Sequence, residues 1–203
     1  MFQPALRLTL ALALLSVPLS ARASSVTVTF ESFTEGDAVT NQLPGVTFAN
    51  ASVLTAGVGL NEFETPPHSG VNVVFDNGGE ISIAFAVPVS NVGAHVTYFL
   101  TAPAKLSLTA FDSSHVSLGA STTSAFSNNE ALSGEAGSSP NEFLLLPFAG
   151  ISFVTIAGDA LGSSFVLDDL TFLQADTEVP EPGSLTLLLV GGATAYLRRR
   201  RAP

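Results

Sequence analysis

The sequence has no cysteine and no tryptophan among its 203 residues. Without cysteine, the chain cannot form a disulfide, a thiolate metal site or a cysteine nucleophile. Tyr98 is the only tyrosine outside the C-terminal segment, so few of the aromatic side chains that usually form sugar-binding platforms are present. The fifteen phenylalanines lie mostly at apolar strand positions, where core packing is their expected role.

Positive charge is almost absent from the middle of the chain. Residues 24–175 contain one lysine, Lys105, and no arginine against fourteen aspartates and glutamates, which gives a net charge of −13. Nucleic-acid binding depends on neutralising phosphates with lysine and arginine, so this balance argues against nucleic acid and anionic lipid as partners and favours cations. With 46% hydrophobic and 12% charged residues, the chain is nevertheless apolar enough to fold.

The first 23 residues have the pattern of a secretory signal peptide. Arg7 precedes an apolar run over residues 8–15. Ala21 and Ala23 place small residues at the −3 and −1 positions of a cleavage site, which predicts cleavage by signal peptidase after Ala23. A short buried helix is the alternative, but it would not require the Ala-x-Ala ending.

Three features follow one another at the C-terminus: a Pro-Glu-Pro segment, an apolar run over residues 185–197 and an arginine cluster. Thirteen mostly apolar residues are short for a transmembrane helix, which takes about 20 residues, but arginine snorkelling and local bilayer thinning allow a marginal span. The positive-inside rule predicts that the arginines stay cytoplasmic and that the acidic domain is exported. The segment consists of Val179, Pro180, Glu181 and Pro182, and the cluster of Arg198, Arg199, Arg200 and Arg201.

This C-terminal order resembles the PEP-CTERM sorting signal of exported proteins in exopolysaccharide-producing Gram-negative bacteria. The resemblance implies that exosortase, a membrane-embedded cysteine transpeptidase, recognises the tail and cleaves it near the Pro-Glu-Pro segment. It also implies a precursor anchored in the inner membrane with a periplasmic domain, and a final location in the cell envelope, on the surface or in the extracellular matrix. The prolines suit this role because they keep the segment extended. An ordinary tail anchor after a proline-rich linker is the alternative.

Period-two alternation of apolar and polar residues dominates residues 24–175. Ile81, Ile83 and Phe85, for example, alternate with Ser82 and Ala84. About nine or ten short runs of this kind, separated by turn residues and with no helix pattern, predict one all-β domain, an antiparallel, jelly-roll-like β-sandwich. The runs cover residues 26–30, 46–54, 71–75, 81–85, 92–100, 106–110, 143–146, 151–156 and 165–172.

The remaining segments complete the predicted organisation. Residues 121–140 are rich in serine, asparagine and glycine and predict a long surface loop within the domain. Residues 176–184 form a linker that contains the Pro-Glu-Pro motif, residues 185–197 a transmembrane sorting helix, and residues 198–203 an arginine-rich cytoplasmic tail.

Two aspartates stand in the predicted closing strand. In a regular strand Asp168 shares a face with the apolar residues Val166 and Leu170, while Asp169 faces the other way. A carboxylate on an apolar face needs a partner, and the domain has almost no lysine or arginine to supply one. A calcium ion, which takes about six to eight oxygen ligands, is one solution. A bulge that turns the aspartates towards solvent or backbone amides is the other.

The opening strand around Glu31 and this closing strand resemble those of galactose-binding-like and carbohydrate-binding-module β-sandwiches. In those folds a structural calcium often joins the first and last strands. The resemblance therefore implies Glu31 with Asp168 or Asp169 as calcium ligands.

No catalytic motif appears in the sequence. His68, His95 and His115 are widely separated, and there is neither a Gly-x-Ser-x-Gly elbow nor a phosphate-binding glycine loop. We therefore expect a non-enzymatic protein of the envelope or extracellular matrix that is associated with exopolysaccharide. A calcium-dependent carbohydrate-binding module and a hydrolase with dispersed carboxylates are the alternatives. Phenylalanines or Tyr98 clustered on an exposed sheet face would favour sugar binding, and their burial would favour a structural role.

Overall fold

The computed structural model describes residues 23–101 and 104–175. The predicted signal peptide up to residue 22, the linker, the Pro-Glu-Pro motif, the sorting helix and the arginine tail lie outside the described residues. Ala23, the predicted last residue of the signal peptide, is the first residue of the first strand. The described part is all-β, as predicted, and none of its residues forms a helix long and apolar enough to cross a bilayer.

Ten strands make up the described part of the chain. They are β1 (Ala23–Val28), β2 (Ala38–Val39), β3 (Val46–Ala49), β4 (Ala51–Thr55), β5 (Asn72–Asp76), β6 (Ile81–Tyr98), β7 (Ser107–Phe111), β8 (Ser117–Thr122), β9 (Glu142–Ala157) and β10 (Phe165–Ala175).

All ten strands belong to one hydrogen-bonded sheet. Its order is β2-β4-β5-β10-β6-β9-β7-β8, with β1 paired to β10 and β3 paired to β6. The pairs that β10 forms with β5 and β6, and that β9 forms with β6 and β7, are antiparallel. The prediction of an antiparallel all-β domain of about ten strands is therefore confirmed.

The two longest strands, β6 and β9, pair with each other on both sides of a bend, and the other partner of β6 changes at that bend. The first half of β6 pairs with β3, whereas its second half pairs with β10. Register shifts between Ala84 and Val92 mark the change, and Asn91 has a φ of 51°. A bulge of this kind moves the following side chains to the other face, which keeps apolar side chains directed to the core on both sides of the bend.

One hydrophobic core contains side chains from both halves of β6 and from other strands of the sheet. The same cluster of buried residues contains Ile83 from the first half of β6, Val96 from its second half, Val74 from β5 and Leu108 from β7. Tyr98 is fully buried in this core, and its hydroxyl donates a hydrogen bond to Glu142 Oε2 at 2.7 Å. Burial is the main reason why the pKa of Tyr98 is raised. Tyr98 is therefore a core residue and cannot act as an exposed sugar platform.

The predicted loop over residues 121–140 is shorter than expected, because Ser121 and Thr122 belong to β8. No strand lies between β8 and β9, yet the segment is firmly attached at Asn129, which is buried. Its side-chain oxygen accepts the backbone N–H of Tyr98 at 2.7 Å, and its amide nitrogen donates to the carbonyls of Val96 and Ser139. One asparagine thus fixes the loop to the middle of the domain.

Candidate functional site

The closing strand β10 carries both aspartates that the sequence singled out. Its register with β6 shifts between Asp168 and Thr171, and Asp169 has a φ of 47°. All residues from Phe165 to Leu170 are consequently buried, with Asp168 2% and Asp169 8% exposed. Of the two arrangements expected from the sequence, the described strand has the bulge.

The bulge directs both carboxylates to one segment, residues 68–72. The backbone N–H of Ser69 donates to Asp168 Oδ2 at 2.9 Å, and that of Asp169 donates to Asp168 Oδ1 at 2.8 Å. Asp169 accepts the hydroxyl of Ser69 at 2.8 Å and lies 2.7 Å from His68 Nδ1. Burial raises the pKa of Asp168 and the nearby charge of Asp169 adds to this effect, while hydrogen bonds, the one from Ser69 first, oppose it.

Glu31 reaches the same segment from the opening of the domain. Its Oε1 accepts the backbone N–H groups of Val71 and Asn72 at 3.1 and 3.0 Å, and its Oε2 lies 3.2 Å from the N–H of Val71. Gly70 leaves the room for this contact, since a Cβ atom there would overlap the Glu31 carboxylate. The structure therefore directs Glu31, Asp168 and Asp169 to the same segment, residues 68–72, which the sequence did not single out.

Their hydrogen bonds decide how these three carboxylates fit a metal ion. Every oxygen of Glu31, Asp168 and Asp169 already has a hydrogen-bonding partner, mostly a backbone N–H group, which is a donor and cannot ligate a cation. Within residues 23–101 and 104–175, no three histidines, cysteines or acids are grouped to hold a metal. The three carboxylates are thus held by residues 68–72 and by each other's backbone, and a calcium ion there would have to share or displace these donors.

Two histidines that are distant in sequence meet beside this segment. The rings of His68 and His95 are stacked, with centroids 3.4 Å apart and planes 9° from parallel. His95 also contacts Phe143, at a centroid distance of 4.8 Å. The hydroxyl of Ser69 donates to Asp169 and not to a histidine. This cluster has the contacts of a structural support for β10.

A second feature is a pocket of about 220 Å³ on the other face of the β4-β5-β10 part of the sheet. Its floor is a small apolar cluster, distinct from the main core, that contains Leu60 and Val166 with Leu54 and Phe75 packed against it. Phe99, which directly follows the buried Tyr98, is 42% exposed and lines the pocket. The lining residues are Leu54, Gly59, Leu60, Asn61, Glu64, Thr65, Phe75, Phe99, Glu130, Ser163, Phe165 and Val166.

Two loops form the polar side of this pocket. Asn61 begins a turn in which its carbonyl accepts the N–H groups of Glu64 and Thr65, and the carbonyl of Glu64 then accepts the N–H of Ala131 at 2.8 Å. The hydroxyl of Thr65 donates to Glu130 Oε1 at 3.3 Å. Asn129 holds the second loop against β6. The positions of Glu64 and Glu130 are therefore both fixed by hydrogen bonds of neighbouring residues.

The charge of the pocket is one-sided. Glu64 accepts a hydrogen bond from the Asn61 amide at 2.9 Å, and Glu130 accepts one from the Asn128 amide at 3.0 Å. The one contact between an acidic and a basic side chain in the described part of the chain joins His68 and Asp169, so neither glutamate has a basic partner there. The pocket thus combines an apolar floor, an exposed aromatic ring and two carboxylates that have only neutral partners.

Sequence reasoning did not find this pocket. Its lining residues come from β4, β5, β10, the loop after β4, the loop before β9 and the end of β6, so no local spacing connects them. One signal was present: in a strand in which Tyr98 faces the core, Phe99 must face outwards.

No protein-family model matches the chain, and no curated protein matches it. Among solved structures, the chain is similar to the K2 cleaved adhesin domain of Lys-gingipain, with 17% identity, a TM-score of 0.46 and coverage of 73% of this chain and 99% of that one. It is also similar to a DUF4465 family protein from Bacteroides caccae, with 12% identity, a TM-score of 0.48 and coverage of 75% and 100%. It is similar as well to the K1 cleaved adhesin domain of Lys-gingipain from Porphyromonas gingivalis W83, with 12% identity, a TM-score of 0.43 and coverage of 75% of this chain and 99% of that one. These identities and TM-scores carry no inference about function.

Proposed function

We propose that this chain is an exported, non-enzymatic β-sandwich protein that associates with exopolysaccharide in the envelope or extracellular matrix and is sorted by exosortase. The observation that carries the proposal is the order of Val179 to Pro182, the apolar run over residues 185–197 and the four arginines, which follows the described domain that ends with β10. The near absence of lysine and arginine from residues 24–175 supports export, because the four C-terminal arginines then set the orientation with their own end on the cytoplasmic side.

The hydrogen bonding of the domain's most chemically suggestive cluster supports a non-enzymatic role. Ser69, His68 and Asp169 contain the residue types of a hydrolytic triad, but Asp169 receives both the serine hydroxyl and the imidazole. A triad needs the histidine between the other two, so that it can take the proton of the serine. The three residues are therefore not arranged as a serine–histidine–aspartate triad.

Processing of the tail in a host that contains exosortase tests the sorting proposal. The wild-type protein should reach the surface fraction in a shortened form, whereas a variant with Pro180→Ala, Glu181→Ala and Pro182→Ala should remain full-length in the membrane fraction. A control with Asp176→Asn and Thr177→Ala in the adjacent linker should be processed normally. Equal processing of all three proteins would overturn the proposal.

A second candidate function is calcium-dependent carbohydrate binding. The observation that favours it is the convergence of Glu31, Asp168 and Asp169 on residues 68–72. If calcium replaces the hydrogen-bond donors there, calcium should raise the melting temperature and EDTA should abolish retention of the purified protein on host exopolysaccharide. The Glu31→Gln variant should lose the response to calcium. An unchanged melting temperature and equal retention in both buffers would exclude this function.

A further inference from the structure

The pocket bounded by β4, β5 and β10 has the shape and surface that a sugar ring requires. Leu54, Leu60 and Val166 provide an apolar floor, and Phe99 presents an exposed ring at its side. The C–H face of a sugar is apolar and stacks on such rings, while small-ligand sites are generally apolar with a few placed polar groups. A volume of about 220 Å³ suits one ring rather than a large ligand.

The polar side of the pocket specifies which substituents the ring carries. Glu64 and Glu130 are acceptors, and Asn61, Thr65 and Ser163 are neutral groups that donate or accept. The described lining contains no lysine, arginine or histidine. An anionic sugar would therefore face two carboxylates without a counter-charge, which disfavours uronic acids and sulfated sugars.

A sugar that carries an ammonium group is complementary to the two carboxylates of the pocket. It would form charge-assisted hydrogen bonds with Glu64 or Glu130, which are stronger than bonds between neutral groups. Phe99 adds an attraction between its ring face and a nearby cation. The field of the whole domain acts in the same direction, because residues 24–175 carry a net charge of −13.

We infer that this pocket binds a hexosamine residue with a free ammonium group, as part of a polysaccharide chain. The inference rests on the proposed function, association with exopolysaccharide, and names the sugar class that is recognised.

Titration calorimetry of the purified protein tests the ligand class. The probes are a fully deacetylated glucosamine tetramer, the N-acetylated tetramer, a galacturonate tetramer and tetralysine, at a pH at which the amines are protonated. The glucosamine tetramer should bind, and acetylation should weaken binding about tenfold or more, because it removes the charge-assisted hydrogen bonds. The galacturonate tetramer should not bind. Tetralysine should bind more weakly than the glucosamine tetramer, because it has no ring face to stack.

Four variants locate the binding site. Glu130→Gln and Phe99→Ala should each weaken binding of the glucosamine tetramer about tenfold. Glu80→Gln and Phe143→Ala are matched controls, because neither residue lines the pocket and Phe143 is exposed to a similar extent as Phe99, at 46% against 42%. Melting temperatures verify folding, and Glu64→Gln replaces Glu130→Gln if the latter does not fold.

The outcomes separate this inference from the proposed function. Equal binding of tetralysine would overturn the assignment to a sugar, and equal binding of the N-acetylated tetramer would overturn the assignment to an ammonium group. Retention on host exopolysaccharide that is unaffected by Glu130→Gln and Phe99→Ala would overturn the inference while the proposed function stands. Binding of the glucosamine tetramer without retention on host exopolysaccharide would overturn the proposed association and leave the pocket assignment intact.

Discussion

Asp76 Oδ1 accepts a hydrogen bond from the backbone N–H of Ser164 at 2.8 Å, which fastens the end of β5 to the residue before β10. The same carboxylate accepts the N–H of Phe165 at 3.2 Å and the hydroxyl of Ser164 at 3.1 Å. Asp76 is fully buried, and burial raises its pKa although these hydrogen bonds oppose the shift. The side chain therefore stabilises the domain as an acceptor, whereas its charge is unfavourable.

Replacement of Asp76 should separate these two effects. We expect Asp76→Ala to lower the free energy of unfolding by about 2–4 kcal/mol, because the buried N–H groups of Ser164 and Phe165 lose their acceptor. Asp76→Asn should cost less, since its side-chain oxygen can still accept while the buried charge is removed. Urea denaturation of the three proteins measures both values. Equal losses for the two variants would show that the acceptor is unimportant.

The pH dependence of stability should reveal the charge of Asp76. Because its pKa in the folded protein is raised above the ordinary 3.8, the folded protein binds the proton more tightly than the unfolded chain does. The stabilisation from this linkage is complete below pH 3.8 and is lost as the pH rises through the folded pKa. The stability of the wild type relative to Asp76→Asn should therefore fall as the pH rises in that window.

This comparison also removes the contribution of Asp168, whose pKa is raised as well. Asp168 is present in both proteins, so its effect cancels in the difference between them. Denaturation at a series of pH values provides the measurement. A difference that stays constant, or that grows with pH, would contradict the role assigned to Asp76.

Gly70 should tolerate a side chain less well than Gly36. Both have positive φ angles, 59° and 81°, so alanine at either position costs about 1–2 kcal/mol in backbone strain. Only at Gly70 would the added Cβ overlap the Glu31 carboxylate, and Gly36 has open space. We expect Gly70→Ala to cost about 1–3 kcal/mol more than Gly36→Ala, because the hydrogen bonds that the backbone N–H groups of Val71 and Asn72 donate to Glu31 are lost. Equal unfolding free energies of the two variants would show that the hydrogen bonds accepted by Glu31 do not stabilise the domain.

Asn129→Ala should release the loop between β8 and β9. The substitution removes the acceptor for the buried N–H of Tyr98 and the donor to two carbonyls, a loss of about 2–3 kcal/mol. Faster amide exchange and proteolysis over residues 123–140 are the expected readouts. Asn128→Ala is the control, since the side-chain bonds of Asn128 are made to the nearby Glu130. Similar protection in both variants would contradict the anchoring role of Asn129.

The strand content was predictable from the sequence, but the lengths of the longest strands were not. Residues 81–85 and 92–100 form separate patterns because the inward-facing positions change from odd to even numbers. The structure joins them into β6 through bulges near Asn91. The opposite occurs at residues 46–54, where Asn50, with a φ of 59°, divides one apolar run into β3 and β4. The alternation of apolar and polar residues shows which face of the sheet each side chain occupies. A bulge changes that face for the following residues without ending the strand.

The short polar strand β8 was missed for a different reason. Its residues 117–122 are mostly small and none of them is buried, so they show no clear apolar alternation, and the strand forms by pairing with β7. Tertiary pairing overrides weak local preference at such an edge.

Parts of the candidate site were predictable to different degrees. The association of Glu31 with Asp168 or Asp169 was expected only from the resemblance to carbohydrate-binding β-sandwiches, and in the structure all three bond to residues 68–72. These hydrogen bonds were not predictable, because they depend on backbone N–H groups that every residue except proline carries. The pocket around Phe99 depends on the packing of two loops, which only the folded chain brings together.

The central position of β10 has a mechanical consequence. The chain leaves the domain from the end of this strand, which pairs with β6 between Phe165 and Leu173 and with β5 at Val166 and Leu167. The bonds of antiparallel strands lie perpendicular to the strand axis, so a pull along β10 loads them together in shear instead of opening them one after another. A domain tethered through this strand would resist flow and traction without any disulfide.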